Sequence, residues 1–506
     1  MNNLGVSLAD YANGPVETSG AFDFAQTSPE ALSQLSKALE AGSMTGREVT
    51  NLGTTGAQAL KVESLERNLK NITFQESDIV LWKRIKKIAA YNTVEEYNQL
   101  TSYGNDTGGF TLEGELPEEE DSVYTRRSQL VKFLGVTKSV THPMTLVNTN
   151  VGPIIQREIT NGTMWILRKV NRALTQGDEK MIPQEFNGLY AQHRDNDVFS
   201  TEAQYLASDV VVDLRGNALS ESALENGANG IIENYGYGDL LMAPPRVLTD
   251  FVKGFYGNKF VDIAQGGNVN STVGHRVRKF ASQFGDIDLV FDKFMNPAPA
   301  RKSTDGATHP SKAPSVVGTV TQTTPATAGS KFVTADAGDY FYAVAAGNRF
   351  GESALTAIGT IVSVAAGDNT ELTFADGGGS YPATFYTIYR SVKTPGTTLA
   401  NTPLYPIFKV SVQQKAAGYN GAAVGKVMDN NSYLPGTYQA FMIQDNEETY
   451  AFKQLAPLMK MDLAQIGPAM RFMVLLYGTT MLYAPKKMIR YINIGTATAS
   501  NINAIV

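Results

Sequence analysis

The sequence predicts an α+β protein with a β-sandwich inserted into it. Three observations carry this expectation. Ile154, Ile155, Ile159, Trp165, Leu167, Val170 and Leu174 form one broad apolar stripe, which predicts a long helix over 153–175. From about 315 to 428 short alternating strands recur between turns, at a spacing of roughly ten residues that suits a sandwich of about 100 residues. After 438 the chain returns to its style before 296, so the sandwich reads as an insertion.

Residues 1–50 are poor in large apolar side chains and read as an extended arm. A short helix is expected at 29–41, with Ser28 as cap and Gly42 as stop. A second is expected at 57–71, where Leu60, Leu65 and Leu69 fall near helical spacing. The segment 79–90 is amphipathic and basic, with Trp82 among Lys83, Arg84, Lys86 and Lys87. Over 97–127 a turn signal, Tyr103 through Asn105 to Phe110, precedes the acidic run Glu113, Glu115, Glu118, Glu119, Glu120, Asp121. Together they read as a long projecting hairpin. Strand text follows at 129–140, then the long helix, whose middle Asn161 and Gly162 weaken. Further helices are expected at 222–234, with Ser222 and Glu225 at capping-box spacing, and at 245–256, with Pro in the first turn. A short buried strand lies between them at 239–242. Residues 296–314 have linker composition. Within the sandwich, strands are expected at 340–345, 360–364, 371–374, 385–389 and 407–412, with turns at 348–351 and 377–379.

Composition limits the function classes. The 506 residues would make about three or four units of roughly 100–200 residues each. Hydrophobic content of 42% supports a real core. Charged content is 18%, below the usual figure of about 25%. That fits surface hidden by partners, or a Gly- and Thr-rich β protein. A net charge of −6 gives no global basic field to draw the chain onto nucleic acid. The absence of cysteine excludes disulfides, thiolate-bound zinc and thiol catalysis, and suits a reducing cytosol. The longest apolar run, 472–477, falls far short of the about 20 residues that span a bilayer. No charged-then-apolar segment opens the chain, so a soluble protein, intracellular when made, is expected.

No catalytic constellation emerges. The four histidines, His142, His193, His275 and His309, have no ligand spacing. Gly236 and Gly238 lack the third glycine of a dinucleotide turn. The acidic run admits a metal site, a carboxylate pair, a solvated loop or a charge partner for another subunit. The partner reading is favoured, because Arg126, Arg127 and the cluster at 83–87 offer complementary charge.

Short motifs then recur in one order. They are Phe186-Asn-Gly-Leu189 after the long helix, Asn217-Ala-Leu-Ser220, Leu241-Met-Ala-Pro244, Asp250-Phe-Val252, and the C-terminal stretches from Phe452, Arg471 and Leu482. In this order they resemble the major capsid proteins of large contractile-tailed bacteriophages, over about 75–300 and 436–495. The resemblance implies a Hong Kong 97-type capsid fold in its subgroup with an immunoglobulin-like insertion. Tyr340 to Ser353 is itself similar to a fibronectin type III or immunoglobulin-like strand and loop. The implied partition is an N-terminal arm (1–50), P-domain (51–96), E-loop (97–127), P-domain with spine helix (128–185) and A-domain (186–311). The insertion (312–430), A-domain again (431–474) and the last P-domain strand with the C-terminus (475–506) follow.

The resemblance implies a structural protein that is not an enzyme and needs no cofactor or metal. It would form hexamers and pentamers of an icosahedral virion head enclosing double-stranded DNA, assembled in the host cytoplasm. Implied partners are further copies of itself, a scaffolding protein, a maturation protease, portal and decoration proteins, and DNA held weakly on the inner face; no membrane is involved. Lys83, Arg84, Lys86, Lys87, Arg276 and Arg278 are candidates for that DNA contact, or solvated faces. The expected intersubunit contacts are Trp82, Tyr97, Asn105, Phe110, Glu118, Glu119, Glu120, Asp121, Arg126 and Arg127. No lysine lies between Tyr97 and Arg127, so a lysine–asparagine weld from this loop is not expected. The rival readings are a tail tube or sheath polymer and a carbohydrate-binding protein with a fibronectin-like module. The second has only two tryptophans, Trp82 and Trp165, to stack on sugars.

Overall fold

The computed structural model describes residues 73–104, 109–116, 119–147, 152–193, 210–254, 277–326, 329–393, 398–465 and 467–496. The arm, the helices expected at 29–41 and 57–71, and Asn105, Glu118, His275 and Arg276 lie outside the described residues.

A four-stranded sheet carries the long helix. Its strands run in the order Lys87–Ala89, Tyr450–Asp462, Ala469–Leu482 and Lys132–Thr141, the first pair parallel and the others antiparallel. Lys132–Thr141 alternates strictly, so Leu134, Val136 and Val140 turn to one face while Phe133, Gly135, Thr137 and Ser139 are exposed. The helix Ile154–Gln176 covers the inward face, packing Ile166, Val170 and Leu174 against Phe452, Phe472, Val474 and Leu476. Each of those three fully buried side chains contributes about 1.5–3 kcal/mol. Gly162 does not break the helix. A Cβ there would stand 3.2 Å from the Val474 side chain and 3.5 Å from that of Val136, so the glycine lets helix and sheet approach closely.

A six-stranded mixed sheet has the order Val211–Asp213, Met488–Ile494, Tyr438–Ile443, Leu240–Ala243, Gly285–Phe291 and Lys279–Ser282. The helices Glu221–Glu233 and Pro245–Gly254 pack on it through Leu224, Ala228, Ile231, Val247 and Phe251. The first of these starts differently from the expected Ser222 cap. Ser220, extended at φ −122, accepts from the Ala223 N–H at 3.3 Å, while Ser222 already lies inside the first turn. Glu225 instead accepts from the Gln283 N–H at 3.2 Å.

Strand pairing divides the chain after the insert between the two sheets. Tyr450–Asp462, expected with the A-domain, pairs along Ala469–Leu482 in the four-stranded sheet. Met488–Ile494, expected with the P-domain, lies in the six-stranded sheet between Val211–Asp213 and Tyr438–Ile443. The turn at Pro485–Lys487 carries the chain from one sheet to the other.

The insert has a sheet built on Tyr342–Asn348, Phe385–Arg390 and Tyr405–Ser411. A three-stranded sheet, Thr321–Thr323, Thr370–Thr373 and Val427–Asp429, shares its core through Tyr342, Val344, Leu372, Ile388 and Val427. The strand expected at 340–345 is two, Gly338–Tyr340 and Tyr342–Asn348. The strand expected at 407–412 ends at Ser411, whose side chain caps the helix Val412–Ala417 in a capping box with Gln414. Asn348 makes the expected turn, accepting on Oδ1 from the Phe350 and Gly351 N–H groups. Arg390 and Asp429 form an ion pair at 2.6 Å with both side chains 1% exposed. Tyr342 Oη donates to Asp429 and Arg390 Nη2 donates to Asn431, which gives both charges further partners inside the core.

Candidate functional site

A two-stranded hairpin presents its chemistry outward. Val94–Ser102 and Val123–Leu130 pair antiparallel, from Val94 opposite Leu130 to Ser102 opposite Val123. Its base is tied to its own chain. Tyr97 Oη donates to the Leu482 carbonyl at 3.1 Å, and its ring meets Tyr483 edge-on at 5.0 Å. Gln99 Nε2 donates to the Tyr483 carbonyl and Gln99 Oε1 accepts from Arg127 Nε at 2.6 Å. Arg126 pairs across the strands with Glu96 at 3.4 Å. Both partners of that pair are largely exposed, so it adds little stability.

The tip is different. Phe110, Leu112 and Leu116 are 103%, 73% and 92% exposed. Beside them Glu113, Glu115, Glu119, Glu120 and Asp121 are exposed as well. Among the described residues, Glu113, Glu115, Glu119 and Asp121 enter no ion pair. Apolar and anionic side chains thus share one projection that the described residues leave uncovered.

Three members of the basic cluster have partners within the chain. Arg84 bridges Asp288 at 3.2 Å and Asp445 at 3.4 Å, which joins the two sheets. Lys83 pairs with Glu76 at 3.2 Å. Lys87 donates to the Trp82 carbonyl at 2.6 Å and lies 4.8 Å from the centre of its ring, and burial lowers its pKa. Trp82 is half-buried and packs edge-on against Phe452 at 5.0 Å. Trp82 and Tyr97, expected as contacts between subunits, also make contacts within their own chain. The structure brings Tyr97, Arg126 and Arg127 together at the hairpin base, gathers Phe110 with the acidic residues at its tip, and leaves Trp82 apart.

Two polar features escaped sequence reasoning. Asn171, on the long helix, accepts from the Trp82 N–H at 3.0 Å and donates to Asp292 at 2.6 Å. Asp292 also accepts from the Phe294 N–H at 2.8 Å, and burial pushes its carboxyl upward. His193 is fully buried with Nε2 2.8 Å from the Met488 carbonyl. Their partners lie far away in the chain, so no local spacing could have signalled them. Among the described residues, no group of three or more His, Cys, Asp or Glu is placed to hold a metal ion.

The family model for the SU10 major capsid protein matches residues 48–311, just over half of the chain. The chain belongs to the SU10 major capsid protein family. It is similar to the major capsid protein of Staphylococcus phage S25-3, with 25% identity over 469 residues, covering 89% of this chain and 93% of the relative. The major capsid protein of Staphylococcus phage K shows the same identity and coverage. Among solved structures it is similar to the capsid of a native GTA particle, at 7% identity and a TM-score of 0.43, covering 88% of this chain and 99% of that one. The SrpI encapsulin complex of Synechococcus elongatus PCC 7942 aligns at 9% identity and a TM-score of 0.39, covering 90% and 98%. Family membership makes this a phage major capsid protein, and its elements are of mixed α+β type. The match favours neither the tail-tube reading nor the carbohydrate-binding one.

Proposed function

We propose that this SU10-family capsid protein acts by self-association alone, with no chemical step. Its copies form hexamers and pentamers that close into an icosahedral head around double-stranded DNA. The observation that carries this is the hairpin tip, where Phe110, Leu112 and Leu116 stand exposed on one projection. Large apolar side chains left exposed on one projection are characteristic of contact sites. Closed symmetry buries such a surface in every copy and leaves no open end. The four-stranded sheet with its long helix plays the part of the P-domain, the six-stranded sheet that of the A-domain, and the hairpin that of the E-loop. The insert is read as an immunoglobulin-like module. Assembly in the host cytoplasm, guided by a scaffolding protein and followed by a maturation protease, completes the reading. Portal and decoration proteins would join the shell, and DNA would touch its inner face weakly, as the net charge of −6 suggests.

The test is negative-stain electron microscopy of the purified chain, with and without its scaffold. Rings of six or closed shells are expected. Replacing 103–122 by a short Gly-Ser turn should abolish them and leave folded single chains. A monodisperse monomer from the intact chain under both conditions overturns the reading, and open filaments point to a tube instead.

A further inference from the structure

The acidic hairpin tip calls for a cationic partner, and part of the basic cluster at 83–87 is already paired within the chain. Arg84, Lys83 and Arg126 already pair with Asp288, Asp445, Glu76 and Glu96. The insert holds a different set. The Arg349 guanidinium carbon lies 4.6 Å and Lys312 Nζ 5.1 Å from the centre of the Phe350 ring. Tyr381, 38% exposed, meets Phe350 edge-on at 5.7 Å. Among the described residues neither Arg349 nor Lys312 has a carboxylate within ion-pair reach.

The acidic groups of the neighbouring loops are taken. Glu352 accepts from Tyr389 Oη at 2.6 Å and Thr387 Oγ1 at 2.7 Å, and pairs with Arg301 at 3.5 Å. Asp376 accepts from Tyr386 Oη at 2.7 Å and pairs with Lys415. The patch therefore keeps its positive charge in a chain that is acidic as a whole. It is also preorganised. Asn348 Nδ2 donates to the Lys312 carbonyl at 2.9 Å, and His309 Nδ1 accepts from the Lys312 N–H at 3.0 Å. Rigid loops lose little entropy when a partner arrives.

Hairpin tip and patch are complementary in both respects that matter. Glu113, Glu115, Glu119 and Asp121 oppose Arg349 and Lys312 in charge, and Phe110, Leu112 and Leu116 offer apolar surface to Phe350 and Tyr381. The nine-residue strand Val94–Ser102 alone extends roughly 30 Å, so the tip reaches well away from its base. We propose that the cation–aromatic patch of the insert receives the acidic hairpin tip of a neighbouring copy. The insert then acts as a clamp between subunits, with charge setting register and the rings supplying burial. This rests on the self-association proposed above.

The absence of cysteine makes the test direct. Full-length chain carrying Leu112→Cys and Tyr381→Cys is assembled and treated with a short bismaleimide. Linked dimers and a ladder of higher species are expected. Adding Lys312→Glu and Arg349→Glu should cut their yield at least five-fold, and adding Glu113→Lys and Glu115→Lys as well should restore it. A second pair, Leu112→Cys with Arg168→Cys, probes the long helix instead. Shells or rings that link only through the second pair, or through neither, overturn the clamp while leaving self-association intact. If the parent chain forms neither rings nor shells, the functional reading itself fails and the clamp fails with it.

Discussion

His193 closes the short helix Leu189–His193 with no exposed surface, beside the strand Met488–Ile494. Burial, helped by the Arg490 charge, lowers its pKa from 6.5 to about 4. The folded state therefore refuses a proton that the unfolded chain accepts. Stability from this group is fully present above pH 6.5 and is lost as pH falls from there to about 4. A shift of this size corresponds to a loss on the order of 3 kcal/mol across the window. Urea unfolding of the unassembled chain at pH 7.5 and pH 4.5 should show it, and His193→Gln should flatten the difference. An unchanged slope in the variant would assign the acid sensitivity to other groups. None of this was readable in the sequence, where four histidines simply lie scattered. The environment of His193 comes from a strand 295 positions away. Asn171 and Asp292, 121 positions apart, were hidden for the same reason.

At the scale of elements, period carries far and boundaries do not. The stripe over 153–175 foretold Ile154–Gln176 because a helix in register with a sheet must repeat its apolar face. The start of Glu221–Glu233 was misplaced because Ser220 and Ser222 are equal as residue types, and only the extended backbone at Ser220 makes it the cap. That helix also contains two glycines with opposite roles. A Cβ on Gly227 would lie 1.9 Å from Tyr491 Oη, in a core with no room to yield. On Gly230 the nearest atom is the end of the flexible Ile489 side chain, at 3.3 Å. Gly227→Ala should therefore cost about 1–3 kcal/mol through overpacking. Gly230→Ala should be neutral, or stabilising by up to ~1 kcal/mol through helix propensity. Thermal unfolding of the two variants should separate them in this order. Equal melting temperatures would show that Tyr491 can move aside.

For the whole molecule, the return of the chain after the insert was legible, but its division between the sheets was not. Tyr450–Asp462 and Ala469–Leu482 share one sheet because their registers pair directly, while Met488–Ile494 crosses to the other. Sequence shows strands but not their neighbours. The same crossing leads to what holds the insert in place. Arg215 follows Val211–Asp213 with a φ of 50, left-handed backbone that a side chain rarely adopts. Its guanidinium donates to the carbonyls of Lys331 and Asn431 and pairs with Asp336 at 3.4 Å. Asn493 donates to Asp213 at 2.8 Å and to the Ser432 carbonyl at 2.9 Å, and accepts from the Leu434 N–H at 2.8 Å. Asp336 is 3% exposed, so losing Arg215 leaves a buried carboxylate with Asn431 Nδ2 still donating to it. Arg215→Ala should then cost about 1.5–3 kcal/mol, the range for hydrogen bonds to charged groups. Arg215→Gly should cost up to ~1 kcal/mol less, because glycine adopts this φ without strain. Hydrogen exchange is the decisive measurement. Amides near 331–336 and 431–434 should exchange faster in both variants, while those of Ile154–Gln176 keep their protection. A uniform rise across both regions would mean that Arg215 supports the body as a whole rather than the seating of the insert.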